Sequence, residues 1–326
     1  MAISKKSSLG IAKETTAYTA MATVSQYLPT KSIVKGGWKP EYLNEERGDR
    51  NANYGVVLTT RQGDGDPKGP WYNDTSGYWL YGFMGTDTVT QPDATHVPTV
   101  YKHTLTFADT PPTFTLFKSY DAVVHQMPGS VVEKVVLKFS AEGKVLECDA
   151  TVKGIYPTVF GGTYTPTFST VKPIPGYAPT IVLTNGASSD ITEWTLTIEQ
   201  KVTPWFGAGG SPDLIRWDFG ERKATLEFTA RFDVPANVFD VWRLGNTDVC
   251  HITFQGALIA NSGGSGTPPN TNYYQVLDIN IGTISYDQIE PKLDKDNVTL
   301  TAKATVIPTS GAIFTSYIQN TLAAYT

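Results

Sequence analysis

Residues 131–152, VVEKVVLKFSAEGKVLECDATV, decide the fold class. Over 131–139 and again over 145–152, Val, Leu and Phe are interleaved with Lys, Glu, Asp and Thr at a period near two. That spacing places apolar groups on one face of an extended chain and polar groups on the other, and so describes a pair of strands with one buried and one wetter face. The same alternation extends in both directions: HTLTF at 103–107, TFTLF at 113–117, DITEWTLTIEQKV at 190–202, KATLEFTARF at 223–232, a run at 273–285 and VTLTAKATV at 298–306. The chain reads as all-β.

Two segments break the pattern and read as short amphipathic helices. PANVFDVWRL (235–244) opens on Pro, where a missing N–H is harmless, gathers Val238, Val241 and Trp242 on one face and stops at Gly245. DTSGYWLYGFM (74–84) carries capping residues Asp74, Thr75 and Ser76, an i,i+4 pair in Trp79 and Phe83, and a stop at Gly85.

The succession strand, loop, strand, helix, strand, hairpin occurs twice, and predicts a duplicated pair of β domains. The first half runs from an extended segment over 32–46, through a strand near 54–60 and helix 74–84, to hairpin 131–152. The second runs from strand 190–202, through loop 204–217, strand 223–232 and helix 235–244, to the strands at 273–285 and 298–306. The expected division is 1–165 with an N-terminal arm, a Gly/Pro/Thr-rich linker over 166–189, and 190–326 with a C-terminal arm. The stretch ANSGGSGTPPNTN (260–272) reads as an exposed loop.

Composition narrows function by exclusion. The 326 residues carry 26 Lys plus Arg against 31 Asp plus Glu, a balance opposite to that of a phosphate-neutralising surface, although a mildly acidic wall suits a conduit that DNA slides through. No apolar stretch of signal-peptide or membrane-helix length occurs, so the expected setting is a cytoplasm and no membrane partner. Two cysteines, Cys148 and Cys250, form neither a disulfide scaffold nor a zinc pattern and read as reduced core residues. No catalytic, cofactor or metal site is expected: there is no nucleophile elbow, Ser32-Ile33-Val34-Lys35 lacks the companion motifs of a serine enzyme, and no phosphate-binding loop is present. Cys250 and His251 are strand neighbours that point to opposite faces. Asp64 and Asp66, in RQGDGDPKG (61–69), resemble half a calcium loop but read as a solvated turn.

Aromatics in or beside loops stand out: Trp71, Tyr72, Trp205, Phe206 and Trp217. Such residues are favoured anchors between subunits, and are the candidate inter-subunit or inter-ring contacts; burial in the chain's own core is the plain alternative. Loops 44–73 and 203–217 and both terminal arms, 13–31 and 314–326, are the expected places for such contacts.

In order along the chain, GIAKETTAY (10–18), LPTKSIV (28–34), GYWLYGFMGT (77–86), HTLTFADTPPTFTL (103–116), SVVEKVVLKFSAEGKVLECDATVKG (130–154), SSDITEWTLTIEQKVTPWFGAGGSPDLI (188–215), RKATLEFTARFD (222–233) and DNVTLTAKATV (296–306) resemble the major tail tube proteins of long, non-contractile-tailed bacteriophages. The resemblance implies β-sandwich or barrel tube domains, each with a flanking helix, in a structural virion protein whose stacked rings form the conduit for DNA ejection. Its implied partners are further copies of itself, the tape measure protein and DNA in the lumen, and the tail tip and tail terminator proteins. Assembly would occur in the host cytoplasm. Family members with one tube domain form six-membered rings, so a chain with two would close an equivalent ring as a trimer, with a true hexamer as the other arrangement. The competing reading is a carbohydrate-binding β-sandwich adhesin or tail-tip module that stacks sugars on Trp71, Trp205 and Trp217.

Overall fold

The computed structural model describes residues 7–43, 55–142, 145–176, 179–183, 186–187, 191–208, 211–231, 236–263, 271–294, 297–308 and 311–326. Outside this set lie the start of the chain, residues 44–54 of the expected loop 44–73, most of the expected loop 260–272, and Pro235. In chain order the first elements are β1 (Ser7–Lys13), β2 (Gln26–Leu28), β3 (Val34–Leu43), β4 (Gly55–Gly65), β5 (Lys68–Pro70), α1 (Gly77–Met84), β6 (Gly85–Thr90) and β7 (Tyr101–Phe107). They are followed by β8 (Phe114–Tyr120), β9 (Val124–Ser140), β10 (Glu147–Gly154), β11 (Thr158–Val159), β12 (Pro179–Leu183), β13 (Gly186–Ala187) and β14 (Ile191–Phe206). The chain closes with β15 (Leu214–Arg231), α2 (Ala236–Arg243), β16 (Thr247–Asn261), β17 (Asn272–Asp294), β18 (Asn297–Ile307) and β19 (Thr315–Asn320). The all-β reading holds.

Two long strands organise everything else. β9 pairs with β8 and β11 through its first half and with β10 through its second. β17 pairs with β16 and β19 through its first half and with β18 through its second. Each long strand changes partners beside a glycine of positive φ, Gly129 at 58° and Gly282 at 71°, a conformation that a Cβ disfavours. The outer layer of the first half therefore has the order β2–β1–β8–β9–β11, and that of the second β13–β12–β16–β17–β19. The inner layer has the order β3–β4–β10–β9 followed by β14–β15–β18–β17, and β9 pairs with β14 to make the eight strands continuous.

The recurrence reaches single residues. The β3–β4 ladder shifts between Trp38, opposite Arg61, and Pro40, opposite Leu58; the β14–β15 ladder shifts between Gln200, opposite Arg222, and Val202, opposite Phe219. The β9–β10 ladder steps over Glu133, and the β17–β18 ladder steps over Asp287. A bulge is a feature of two strands in register, so these two pairs of shifts fall at corresponding places in the two ladders.

One core serves both halves, running from Leu9 and Ile11 through Trp79, Phe114, Leu137 and Trp194 to Phe254, Ile279 and Ile318. α1 packs on β9 and β7, and α2 on β17 and β16. α2 matches its expectation, with Val238 and Val241 buried and Trp242 partly so. The helix expected over 74–84 differs. It starts at Gly77 after a turn, Ser76 Oγ accepts from the Tyr72 N–H (2.9 Å) instead of capping the helix, and all eight residues are buried rather than one face. The reason is tertiary: Tyr325 from the chain end lies against Tyr78 and Tyr81 (ring centroids 4.9 and 5.7 Å apart) on the side that a surface helix would give to water.

Further expectations are corrected. The C-terminal segment is not an arm: β19 pairs with β7 on one side and β17 on the other, and Tyr325 is buried. The segment 204–217 is the end of the β14–β15 hairpin rather than a loop, and much of 44–73 is β4 and β5. Asp64 lies in β4 and binds Lys153 Nζ (2.8 Å), while Asp66 accepts from the Ile33 N–H (2.9 Å), so the two carboxylates serve strand pairing. The Gly/Pro-rich crossing is pinned: Ile174 is buried and its N–H donates to Trp71 O (3.2 Å), and Tyr164 and Ser8 share a hydrogen bond of 3.1 Å between their hydroxyls.

Candidate functional site

The five aromatics separate into two kinds. Trp71 is fully buried: its indole Nε1–H donates to Asn73 Oδ1 (2.9 Å), and its backbone N–H donates to Leu146 O (2.7 Å). Trp217 is 4% exposed, with Nε1–H donating to Gly129 O (2.8 Å), which fixes the β9 bend. Neither ring can meet a partner directly. Tyr72 and Phe206 are half-buried, and Trp205 is 51% exposed with the Arg216 guanidinium 5.2 Å from its ring centre. The aromatic platform for a sugar is thereby overturned, since two of its three rings lie inside the subunit.

The exposed apolar residues gather instead on a hairpin whose individual residues were not singled out from the sequence. β3 and β4 carry Trp38, Tyr42, Val56, Val57 and Leu58 on the surface. The signal was present in the runs GWKPEYL and GVVLTT, which are too apolar for a solvated hairpin. The β14–β15 hairpin lies beside it with Trp205 and Ile215 exposed. Both hairpins run past the level at which β9 and β10 turn away. There Arg61 joins them: its Nε and Nη2 donate to Asp213 Oδ1 (2.5 Å) and Oδ2 (2.8 Å), and its N–H donates to Pro212 O (3.0 Å). The guanidinium also lies over Trp38 and Tyr156, 5.1 and 4.7 Å from the ring centres.

The hydrogen bond from Arg61 holds the Asp213 carboxyl below its ordinary value, against a smaller opposing effect of desolvation. A depressed carboxylate contributes stability above its unfolded pKa, near 3.9, and loses it as pH falls through the lower folded value. Asp213→Asn is therefore expected to cost about 1–2 kcal/mol at neutral pH, the lower part of the range for charged hydrogen bonds because the pair is partly hydrated. In paired urea titrations the gap from the parent should close below roughly pH 3–4; a gap that persists at pH 2 would refute this origin.

A second surface is the polar face of the inner sheet. Along β14, Trp194, Leu196 and Ile198 point into the core while Glu193, Thr195, Thr197 and Glu199 point away, as the alternation requires. Ion pairs run across this face from strand to strand. Asp149 meets Lys138 (2.7 Å) between β10 and β9, Lys134 meets Glu199 (3.5 Å) between β9 and β14, and Glu199 meets Lys223 (2.8 Å) between β14 and β15. Lys153 takes Asp64 and Glu133 at 2.8 and 3.8 Å. The hydrogen bond from Lys223, helped by the charges of Lys223 and then Lys134 and opposed by desolvation, holds the Glu199 carboxyl below its usual range. Four lysines that would otherwise face solvent as bare cations are neutralised in place.

The remaining chemistry-bearing residues have structural surroundings. Burial pushes the thiols of Cys148 and Cys250 far above their ordinary value. His251 is on the face opposite Cys250 and its Nε2 lies 2.8 Å from Asp278 Oδ2. Among the described residues no group of three or more His, Cys, Asp or Glu is arranged to hold a metal ion, and no helix is long and apolar enough to cross a membrane. No curated protein matches the chain. The family described as phage tail tube protein has a model that matches residues 4–275, a span taking in both hairpins and all of β9, β14 and β15. On that match the chain belongs to the phage tail tube proteins, structural components of the virion tail.

Proposed function

We propose that this chain forms the tube of a long, non-contractile tail by closing as trimeric rings that stack into a DNA-conducting channel. The observation that carries the reading is the repeated inner-layer order, β3–β4–β10–β9 then β14–β15–β18–β17, with one joint, β9 to β14, made inside the chain. Two tube-type units per chain, the second beginning at β12 within the segment read as a linker, need three chains to supply six units. Eight inner strands per chain give about 24 per ring, and at ~4.8 Å per strand with tilts of ~35–45° the backbone wall would be roughly 45–52 Å across, wider than a DNA duplex.

The outer layers and both helices lie on the apolar face of the inner sheet, so a ring with that bulk outside turns the polar face inward. The ion pairs of Lys134, Lys138, Lys153 and Lys223 lower the free positive charge that phosphates could grip, and DNA and the tape measure protein would pass without sticking. The β3–β4 and β14–β15 hairpins, bearing Trp38, Tyr42, Leu58, Trp205 and Ile215, supply the apolar contact to the next ring. The tail tip and tail terminator would cap the two ends of the stack, and assembly would take place in the host cytoplasm. Negative-stain electron microscopy with native mass measurement of isolated rings tests the proposal. Hollow tubes built from three-subunit rings are expected, and six-subunit rings would overturn the trimer.

A further inference from the structure

The β9–β14 joint inside the chain is a template for a joint between chains. β9 leaves β8 after Ser130, and the edge it then exposes is taken by β14, from Glu199 opposite Lys134 to Glu193 opposite Ser140. β17 leaves β16 after Ser285, and among the described residues its edge from 286 to 294 has no strand beside it. Among the described residues β3 likewise has no strand on the edge away from β4. The duplicated bulges fix which residues correspond. Trp38 opposite Arg61 stands for Gln200 opposite Arg222, so Lys35 and Gly37 occupy the places of Thr197 and Glu199. Glu133 stands for Asp287, so Lys134 and Val136 occupy the places of Gln288 and Glu290.

Resting on the trimeric-ring reading, we infer that β17 of one subunit pairs antiparallel with β3 of a second copy, Lys35 opposite Glu290, Gly36 opposite Ile289 and Gly37 opposite Gln288. Four features of these two edges, none of them used in deriving the register, agree with it. First, the register puts a cation directly across from a carboxylate on the polar face, both exposed in the subunit. Second, β3 turns the backbone groups that the register needs toward the free edge. Ile33 turns its carbonyl toward β4, accepting from the Asp66 N–H (3.3 Å), so alternation turns the N–H and C=O of Val34 and Gly36 outward. Gly36 then meets Ile289 as a hydrogen-bonded pair, and Lys35 meets Glu290 as the closer, non-hydrogen-bonded kind.

Third, the ladder ends at the same point on both edges. Val34 falls opposite Pro291, which has no N–H to donate. The Val34 carbonyl already accepts from the Tyr120 hydroxyl (2.6 Å), and that oxygen in turn accepts from the Val34 N–H (3.0 Å). Fourth, Leu293 is 83% exposed in the subunit, whereas Phe139, in the corresponding place at the in-chain joint, is buried. Leu293 is thus an exposed apolar side chain just past the end of the proposed ladder, where the neighbouring chain would lie. An exposed strand edge is otherwise an invitation to uncontrolled pairing, and this register gives it one partner.

Cysteine cross-linking in the full chain tests the register. Cys148 and Cys250 are buried and do not compete. Lys35→Cys with Glu290→Cys, oxidised under mild conditions, should give covalent dimers and trimers on non-reducing gels, with trimer as the closed end product. Lys35→Cys with Lys292→Cys, a two-residue slip on the same face, should link at least tenfold more slowly. In parallel, Lys35→Glu should lower ring yield at least tenfold, and adding Glu290→Lys should restore it; both variants are expected to keep the parent's circular dichroism and melting temperature, since both sites are at the surface. Rings seen by microscopy with faster linking of the slipped pair, or with no rescue by the double reversal, would overturn the register and leave the trimeric ring standing. Absence of rings from the parent protein would overturn both.

Discussion

Glu14→Gln is expected to lower stability by about 2–4 kcal/mol, read as a shift in the urea midpoint without a change in slope. Glu14 is buried beyond the end of β1, and among the described residues no cation forms an ion pair with it. Its carboxylate is satisfied by four donors: Oε2 accepts from the Tyr18 N–H (2.8 Å) and Thr113 Oγ1 (2.6 Å), and Oε1 from Thr115 Oγ1 (2.9 Å) and the Gly129 N–H (2.7 Å). Glutamine keeps one acceptor oxygen and turns an NH2 toward the other two donors. A threonine hydroxyl can rotate to accept from it, but a backbone N–H cannot, so one buried amide loses its partner. Gly129 is where β9 bends from the outer layer toward its joint with β14, so the same variant should also depress ring yield. A midpoint unchanged within error would show that the four bonds contribute nothing net.

Asn73→Ala is expected to cost about 3–5 kcal/mol, the sum over several buried groups each stranded at ~1–3 kcal/mol, moderated by relaxation. The Asn73 side chain is the polar tie between α1 and the second half. Its Nδ2 donates to Val276 O (3.0 Å) in β17 and Gln319 O (2.6 Å) in β19, and its Oδ1 accepts from the buried Trp71 indole (2.9 Å). Asn73→Asp should be at least as damaging, since it replaces the donor with an oxygen facing two carbonyls. If the two halves fold as one cooperative body through this contact, calorimetry of Asn73→Ala should show a broader or split transition where the parent shows one. A single sharp transition within about 1 kcal/mol of the parent would refute the coupling role.

The burial of Asn73 also shows where reading the sequence stops. Asp74, Thr75 and Ser76 read from the sequence as caps, and 74–84 as an amphipathic helix with one face open to water. What covers both is β19 and Tyr325, some 240 residues away in the chain. Local periodicity reports one element's two faces, and cannot report that a distant strand covers the second. The same limit explains Trp71 and Trp217. Their positions beside Gly- and Pro-rich stretches suggest exposure, while their indole N–H groups in fact anchor buried backbone and side-chain acceptors.

What the sequence determined by itself was the all-β class, both helices to within a few residues, nearly every long strand, and the double succession of elements. Each depends on side chains within a few residues of one another, through alternation, capping and Gly or Pro stops. The apolar character of the β3–β4 hairpin was also legible in its runs of Trp, Tyr, Val and Leu. Only the tertiary structure decided that the halves share one core, that β9 and β14 join them edge to edge, and that the chain end is a strand between them. It alone revealed the matched bulges at 38–40 and 200–202 and at 133 and 287, because a bulge is a property of two strands in register. Pairing of strands over a hundred residues apart is set by the whole packing, and so the two ends of the inner layer that have no neighbouring strand among the described residues, β3 and the second half of β17, came into view only in the folded chain.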